Sequence, residues 1–406
     1  MKIQQEFPFF QNYPPRQIHS FVFGRIYDII KLSLPKGRQK IYDIGRQKNM
    51  SKKIIMTGGG TAGHVTPNLA LLPTLEKDGF SIVYIGSKKG IEREIIQEQT
   101  DLPYYAVSSG KLRRYFSFKN FVDPFKILRG YFQAKKIIRR EQPDLVFSKG
   151  GYVSVPVVFA ANKLQVPVVL HESDYTPGLA NRLCMPKADK VCVSFEAAAK
   201  HIEKGKCVVT GSPVREELFS GSREGGLRRA GFSGEKPVLL IMGGSLGAQA
   251  VNEAVDAVLD SLLETFDIIH IRGREKLNPQ LEGKKGYAQY EYVSEELPDI
   301  FAAADLMISR AGANAIFEIL ALCLPALLIP LPREASRGDQ ILNAEFFRSK
   351  GFSHVLQQSD ITPKTMLDAI HALHADADVL RDAMKNSGIS NGTQNVIQVI
   401  YSVLEK

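Results

Sequence analysis

From residue 53 onward the hydrophobic positions fall into short, nearly unbroken apolar runs. Each is closed by glycine or polar residues, and most are followed by a stretch with helical spacing. The runs "KIIMTG", "SIVYIGS", "DLVFSKG", "VPVVLHE" and "KVCVSFE" read as strands. Continuous apolar strands alternating with helices predict a parallel sheet covered on both faces. Residues 208–237, "VVTGSPVREELFSGSREGGLRRAGFSGEKP", break the pattern with Gly, Ser and Pro clusters, as an interdomain linker does. The cycle then restarts in "VLLIMGGSLGAQAVNEAVDAVLDSL", "FDIIHIRG", "YAQYEYVS", "ADLMISRAGANAIFEILAL" and "PALLIPLP".

Both halves open with an apolar strand, a glycine turn and an amphipathic stretch (58–72 and 243–259). The prediction is an α/β fold of two doubly wound, Rossmann-like domains facing across a cleft. The first spans 51–214 and the second 215–388, with a C-terminal helix in 389–406 returning to the first. Ligands of such sheets bind beyond the carboxyl ends of the strands, so the cleft is the expected site.

Composition changes this picture little. The 406 residues are 44% hydrophobic and 23% charged, as in a soluble globular protein. Four cysteines (Cys184, Cys192, Cys207, Cys323) have no C-x-x-C spacing and read as small core residues in a reducing compartment. No uncharged apolar stretch is long enough to span a bilayer. Charge adds more. Of the net +9, residues 1–50 hold +6, from nine Lys or Arg against three acids. This arm lacks the apolar core and cleavage site of a secretory signal, and is expected to be a basic extension without a fold of its own.

The first candidate chemistry is "TGGGTAGHVTPN". Gly58, Gly60 and Gly63 have the spacing of a dinucleotide fingerprint. Such a site also needs an acid at the end of the second strand to hold ribose hydroxyls. Here that strand ends "YIGSKKG", with Ser87 and Lys88 in the place and no acid before Glu92, so a nicotinamide site is not expected. What remains is a glycine loop that lets a ligand approach the backbone, on a helix N-terminus that favours negative charge. His64 on this loop is a candidate for proton transfer.

"SRAGANAIFEI" carries the strongest signal. A strand ends at Ser309, small residues turn, and a helix begins whose first amides suit a diphosphate. Glu318, about a turn and a half into that helix, suits a ribose diol. Ser245 in "GGSLGAQ" offers a hydroxyl and an amide to phosphate, and Arg215 in "GSPVRE" a countercharge. No metal-ligand constellation stands out; the one Asp-x-Asp, Asp376–Asp378, lies far from the glycine turns. Leaving-group charge is expected to be met by amides, helix dipoles and Arg215.

Seven motifs in register then resemble one family: "GGGTAGHVTPNLAL", "KGGYVSVPVVFAA", "VPVVLHESDYTPGLANR", "GSPVR", "GGSLGAQ", "SRAGANAIFEI" and "GDQILNAEFF". They resemble the MurG family, the UDP-N-acetylglucosamine:undecaprenyl-pyrophosphoryl-muramoyl-pentapeptide N-acetylglucosaminyltransferases of bacterial cell-wall synthesis. The resemblance runs from about residue 53 onward and leaves residues 1–50 without a counterpart. It implies a GT-B fold and metal-independent, inverting transfer of N-acetylglucosamine from UDP-GlcNAc to lipid I. The products are lipid II and UDP, and UDP-GlcNAc is a donor substrate with no cofactor besides.

By position, the resemblance places Thr61, Ala62 and Gly63 on the donor loop of the first domain. It assigns donor contacts to Arg215, Ser245, Ala313, Asn314, Glu318 and Gln340, and meets the uracil with the backbone of Val293. Three residues depart from the family's usual pattern: Asp174 and Leu246 and Asp339, where Asn, Gln and Gln are common. Asp174 matters most, because it leaves the catalytic base open between His64 and Asp174. His171 and Glu172 are supporting candidates.

A lipid acceptor implies a membrane-facing patch. Residues 110–140 hold ten Lys or Arg, one acid and seven Phe or Tyr, a mixture suited to the anionic cytoplasmic leaflet of the cell membrane. Peripheral attachment there is the expected location. The +3 carried outside the arm is too small for a broad nucleic-acid footprint, and no nucleic-acid partner is expected. Two rival activities fit the same domain pair: a UDP-sugar:diacylglycerol glycosyltransferase making membrane glycolipid, and a UDP-GlcNAc 2-epimerase.

Overall fold

A computed structural model describes residues 52–110, 119–244, 248–334, 338–389 and 391–405. The basic arm, the first part of the 110–140 segment and Ser245 with Leu246 lie outside the described residues.

Two parallel sheets organise the chain. The first has seven strands: β1 (Lys53–Thr57), β2 (Ser81–Ser87), β3 (Tyr104–Val107), β4 (Leu145–Ser148), β5 (Val168–Glu172), β6 (Lys190–Val193) and β7 (Cys207–Val209). Their spatial order is β3-β2-β1-β4-β5-β6-β7. The second has six: β8 (Val238–Met242), β9 (Asp267–Ile271), β10 (Tyr287–Tyr290), β11 (Leu306–Ser309), β12 (Ala326–Leu328) and β13 (Ser353–Val355), in the order β10-β9-β8-β11-β12-β13. Strand order therefore reverses between β1 and β4 in one sheet and between β8 and β11 in the other. These switch points are where open α/β sheets leave a crevice.

Both faces of each sheet are buried, which is why the strands lack alternation. On β1, Ile55 packs to one side while Ile54 and Met56 pack to the other. On β8, Val238 and Leu240 face one core and Leu239 and Ile241 the second. The helices that frame the site are α1 (Ile91–Gln99), α2 (Lys119–Glu141), α3 (Ala313–Ala321), α4 (Asp339–Ser349) and α5 (Thr393–Leu404).

The stretch expected as a linker is more structured than its composition suggests. It begins within β7, one edge strand of the first sheet, and contains a helix at Arg223–Ala230 that packs on Leu297–Ala303. Helix α5 crosses back to the first sheet. Its Val396, Ile397, Ile400 and Val403 join Ile54, Met56 and Phe147 in one core. Tyr401 stacks on Phe80 at 5.8 Å and hydrogen-bonds Asp78. The halves also meet through aromatic rings, with Phe195 edge-on to Phe317 at 5.3 Å and to Phe346 at 5.1 Å.

Candidate active site

At the first switch point, β1 runs into Gly58–Gly60 and β4 into Lys149–Gly151. The Gly59 amide donates to the Gly150 carbonyl at 3.3 Å. Gly60 has φ +90°, and a Cβ there would lie 2.5 Å from the Tyr152 ring, so only glycine fits. Glu92, fully buried at the start of α1, holds the loop. It accepts from Gly60 N at 3.0 Å, Ser87 N at 2.9 Å and Ser87 Oγ at 2.5 Å. The first acid after β2 thus fastens the glycine turn itself, the opposite of a ribose-reading carboxylate.

One expectation about this loop needs correcting. It does not open onto a long helix but onto a single 3₁₀ turn, Ala62–His64, and a four-residue helix, Thr66–Leu69. So short a helix has little dipole to offer an anion. The turn instead presents Thr61, Ala62, Gly63 and His64 at its surface, with Thr61 Oγ1 hydrogen-bonded to His64 Nδ1 at 2.9 Å.

At the second switch point the expected device is present. β11 ends at Ser309, Gly312 turns, and α3 begins at Ala313 with nine residues of aligned peptides behind it. Glu318 lies on the buried face of α3 and meets Arg215 Nη2 at 3.6 Å. Burial pushes the Glu318 carboxyl up, and the Arg215 guanidinium only partly offsets this. Arg215 Nε is buried without a partner. Gln340 Oε1 accepts from Leu331 N at 3.0 Å, which ties α4 to the loop after β12 and keeps Gln340 beside Gly312. Val293 is buried in the core that holds Val238 and Leu240, and its neighbour Ser294 lines, with Arg215, a cavity of about 680 Å³ between the domains.

Contacts across the cleft bring the two switch points together. Asn314 Nδ2 donates to the Gly63 carbonyl at 3.2 Å, so the glycine turns touch. Thr176 Oγ1 donates to Asp339 Oδ1 at 3.0 Å, and Tyr175 N to Asn343 Oδ1 at 3.1 Å. Asn343, fully buried on α4, also directs Nδ2 to the Ala311 carbonyl at 3.1 Å and to Asp174 Oδ1 at 3.5 Å. Asp174 therefore sits on the seam, its own amide held by Glu172 Oε1 at 2.9 Å.

The supporting pair divides. Glu172 also accepts from Gly178 N at 3.0 Å and Asn181 Nδ2 at 2.9 Å, and so shapes the turn that carries Asp174. His171 is wholly buried, bonded to the Gly211 carbonyl at 3.0 Å and held neutral by burial and by nearby Lys149. It braces the domain junction and does not reach the cleft. The structural roles of Glu92, Lys149 and Asn343 escaped the sequence reading because partners of each lie far along the chain. The visible hint was a charged or amide residue set among apolar or glycine neighbours.

Two doubly wound domains, each with a glycine turn at its switch point and the turns in contact across a cleft, form a GT-B architecture. The molecule is thus of the class of two-domain glycosyltransferases. Residues 54–193 match the glycosyltransferase family 28 N-terminal domain and residues 238–400 the family 28 C-terminal domain, and the chain belongs to this family. It is 56% identical over 349 residues to a UDP-N-acetylglucosamine–N-acetylmuramyl-(pentapeptide) pyrophosphoryl-undecaprenol N-acetylglucosamine transferase of Clostridium botulinum, covering 86% of this chain and 98% of the relative. A transferase of the same name from Geobacillus thermodenitrificans is 54% identical over 353 residues, covering 87% and 99%. The crystal structure of Acinetobacter baumannii MurG superposes with a TM-score of 0.69 at 27% identity, covering 86% of this chain and 99% of that one.

Proposed function

We propose that the enzyme transfers N-acetylglucosamine from UDP-GlcNAc to lipid I, with inversion and without a metal, forming lipid II and UDP. The observation that carries this reading is the 56% identity to a transferase so named, over 98% of that relative's length. The site chemistry agrees. The α3 amides and Arg215 take the diphosphate, Glu318 the ribose hydroxyls, the Val293 backbone the uracil and Gln340 the sugar hydroxyls. Thr61, Ala62, Gly63, Ser245, Ala313 and Asn314 complete the donor contacts.

In this reading the acceptor hydroxyl attacks the anomeric carbon as the bond from that carbon to the UDP oxygen breaks. UDP leaves towards the α3 amides, and the hydroxyl proton passes to a base on the opposite face of the sugar. We assign that base to Asp174, which is held on the seam from both domains. His64 rides on the loop whose Gly63 carbonyl meets Asn314 at the start of α3.

Helix α2 supports the membrane reading. Phe125, Arg129, Phe132 and Lys136 fall at helical spacing on one exposed face, with Phe125 73% and Phe132 53% exposed. Ile127, Tyr131, Ala134 and Ile138 bury the other face. Such a stripe suits attachment to an anionic cytoplasmic leaflet. Among the described residues no helix is long and apolar enough to cross a membrane.

The test is UDP release from UDP-GlcNAc with and without a soluble lipid I analogue, in EDTA. Release that requires the analogue and survives EDTA is expected. Turnover on diacylglycerol, or with no acceptor at all, would overturn the reading in favour of a glycolipid synthase or a 2-epimerase.

A further inference from the structure

Lys149 follows β4 at the first switch point and is 1% exposed. A lysine so buried loses several kcal/mol of hydration unless charges and hydrogen bonds replace it. Its ammonium donates to Ser173 Oγ, and the charges of Glu172 and Asp174 attract it. Burial pushes Lys149 down to about 8, which leaves it mostly charged at neutral pH. A methionine would fill the same space without the desolvation cost. Packing alone does not call for an ammonium here.

The second domain repeats the arrangement. Ser148 pairs with Thr57 across the first switch point, and Ser309 pairs with Met242 across the second. The next residue in each case is a buried cation, Lys149 or Arg310. Arg310 Nη1 donates to the Ile329 carbonyl at 3.0 Å and the Pro330 carbonyl at 3.4 Å, on the loop after β12. Each cation thus reaches the loop that follows the neighbouring strand. On the second domain that loop leads to Gln340; on the first it carries Asp174.

We propose that Lys149 is a positioning residue for the transfer, its buried ammonium fixing the 172–174 turn through Ser173 and serving as the internal countercharge of Asp174. The proposal rests on the assignment of Asp174 as base. The turn brings two carboxylates within three residues, and Glu172 is already engaged by three donors. A cation beneath the turn offsets the negative charge of both. The ionisable groups that share its surroundings are His171, kept neutral there, with Glu172 and Asp174. From the glycine loop, a Cβ at Gly58 would lie 3.1 Å from the Lys149 Cβ, so glycine leaves Lys149 its space.

The test compares kcat/KM against pH for the full chain and its Lys149→Met, Lys149→Arg, Ser173→Ala and Asp174→Asn variants, with UDP-GlcNAc and a soluble lipid I analogue. For Lys149→Met the acid limb is expected to move up by about one pH unit, because a carboxylate stripped of its cation ionises later. Thermal melting should stay close to that of the unaltered chain. Lys149→Arg should restore the limb, and Ser173→Ala should move it the same way by less. An unmoved limb in Lys149→Met, with Asp174→Asn inactive, overturns the proposal, as does a rate loss that only tracks melting temperature. If Lys149→Met does not fold, the limb of Ser173→Ala decides. An active Asp174→Asn shows instead that the base is elsewhere, and the proposal falls with that assignment.

Discussion

The two switch points share a topology and differ in how they carry charge. In the second domain the element proposed to meet the diphosphate is backbone: a nine-residue helix starts at the glycine turn, and the cation behind it, Arg310, stays charged at any physiological pH. In the first domain the glycine turn leads only to a 3₁₀ turn and a four-residue helix, so side chains take over. Glu92 fastens the loop and Lys149, pushed down to about 8 by burial, lies beneath it. A leaving diphosphate keeps its charge throughout the reaction, and fixed dipoles suit it. A proton changes place on the acceptor side, and ionisable side chains suit that. The same fold thus supplies permanent polarity on one wall of the cleft and adjustable polarity on the other.

The comparison breaks most directly at the base. Asp174→Asn is expected to lower kcat by about 10²- to 10⁴-fold with little change in donor KM, and His64→Ala by less. A larger loss from His64→Ala would move the proton acceptor to the glycine loop.

The next effect lies on the fixed wall. Glu318→Gln replaces a charged acceptor and is expected to cut kcat/KM for UDP-GlcNAc by about 10- to 100-fold. Its pH dependence sharpens the test. Burial raises the folded-state pKa of Glu318, so this carboxylate protonates at a higher pH than an ordinary one. Donor KM should therefore climb as pH falls just above the usual carboxylate range, and the climb should vanish in Glu318→Gln. The stability sign is the reverse: burial favours the neutral form, and the gain present at low pH is lost as pH rises through the folded value.

Arg310→Lys keeps the charge but loses the rigid guanidinium whose Nη1 donates to the Ile329 and Pro330 carbonyls. It is expected to raise donor KM about tenfold through slack at Ile329 and Pro330, after β12. The smallest effect should come from the α2 stripe. Phe125→Glu with Phe132→Glu should weaken flotation with anionic vesicles and lower the ratio of turnover on vesicle-borne to soluble acceptor.

Ten of the thirteen strands were legible in the apolar runs, and the missing ones have a common cause. β3, β7 and β13 are all sheet edges. Edge strands bury less, so "YYAV", "CVV" and "SHV" lack the continuous apolar signature that marks the interior strands. The second-domain site was legible because it is local: Gly312, Ala313 and Glu318 lie on one turn and one helix. The first-domain site was only half legible. Its glycines could be read, but Glu92, Lys149 and Asn343 act on residues 32, 24 and 168 positions away.

The return of α5 to the first sheet has a consequence for synthesis. Ile54 and Met56 remain without part of their cover until residues 396–403 have emerged, after the whole second domain has been translated. The first domain therefore cannot finish folding on its own while the chain is being made, and must wait, partly uncovered, for the second. A fragment cut near residue 214 would expose that apolar face and aggregate. Supplied with residues 391–405 as a separate peptide, it should stay in solution.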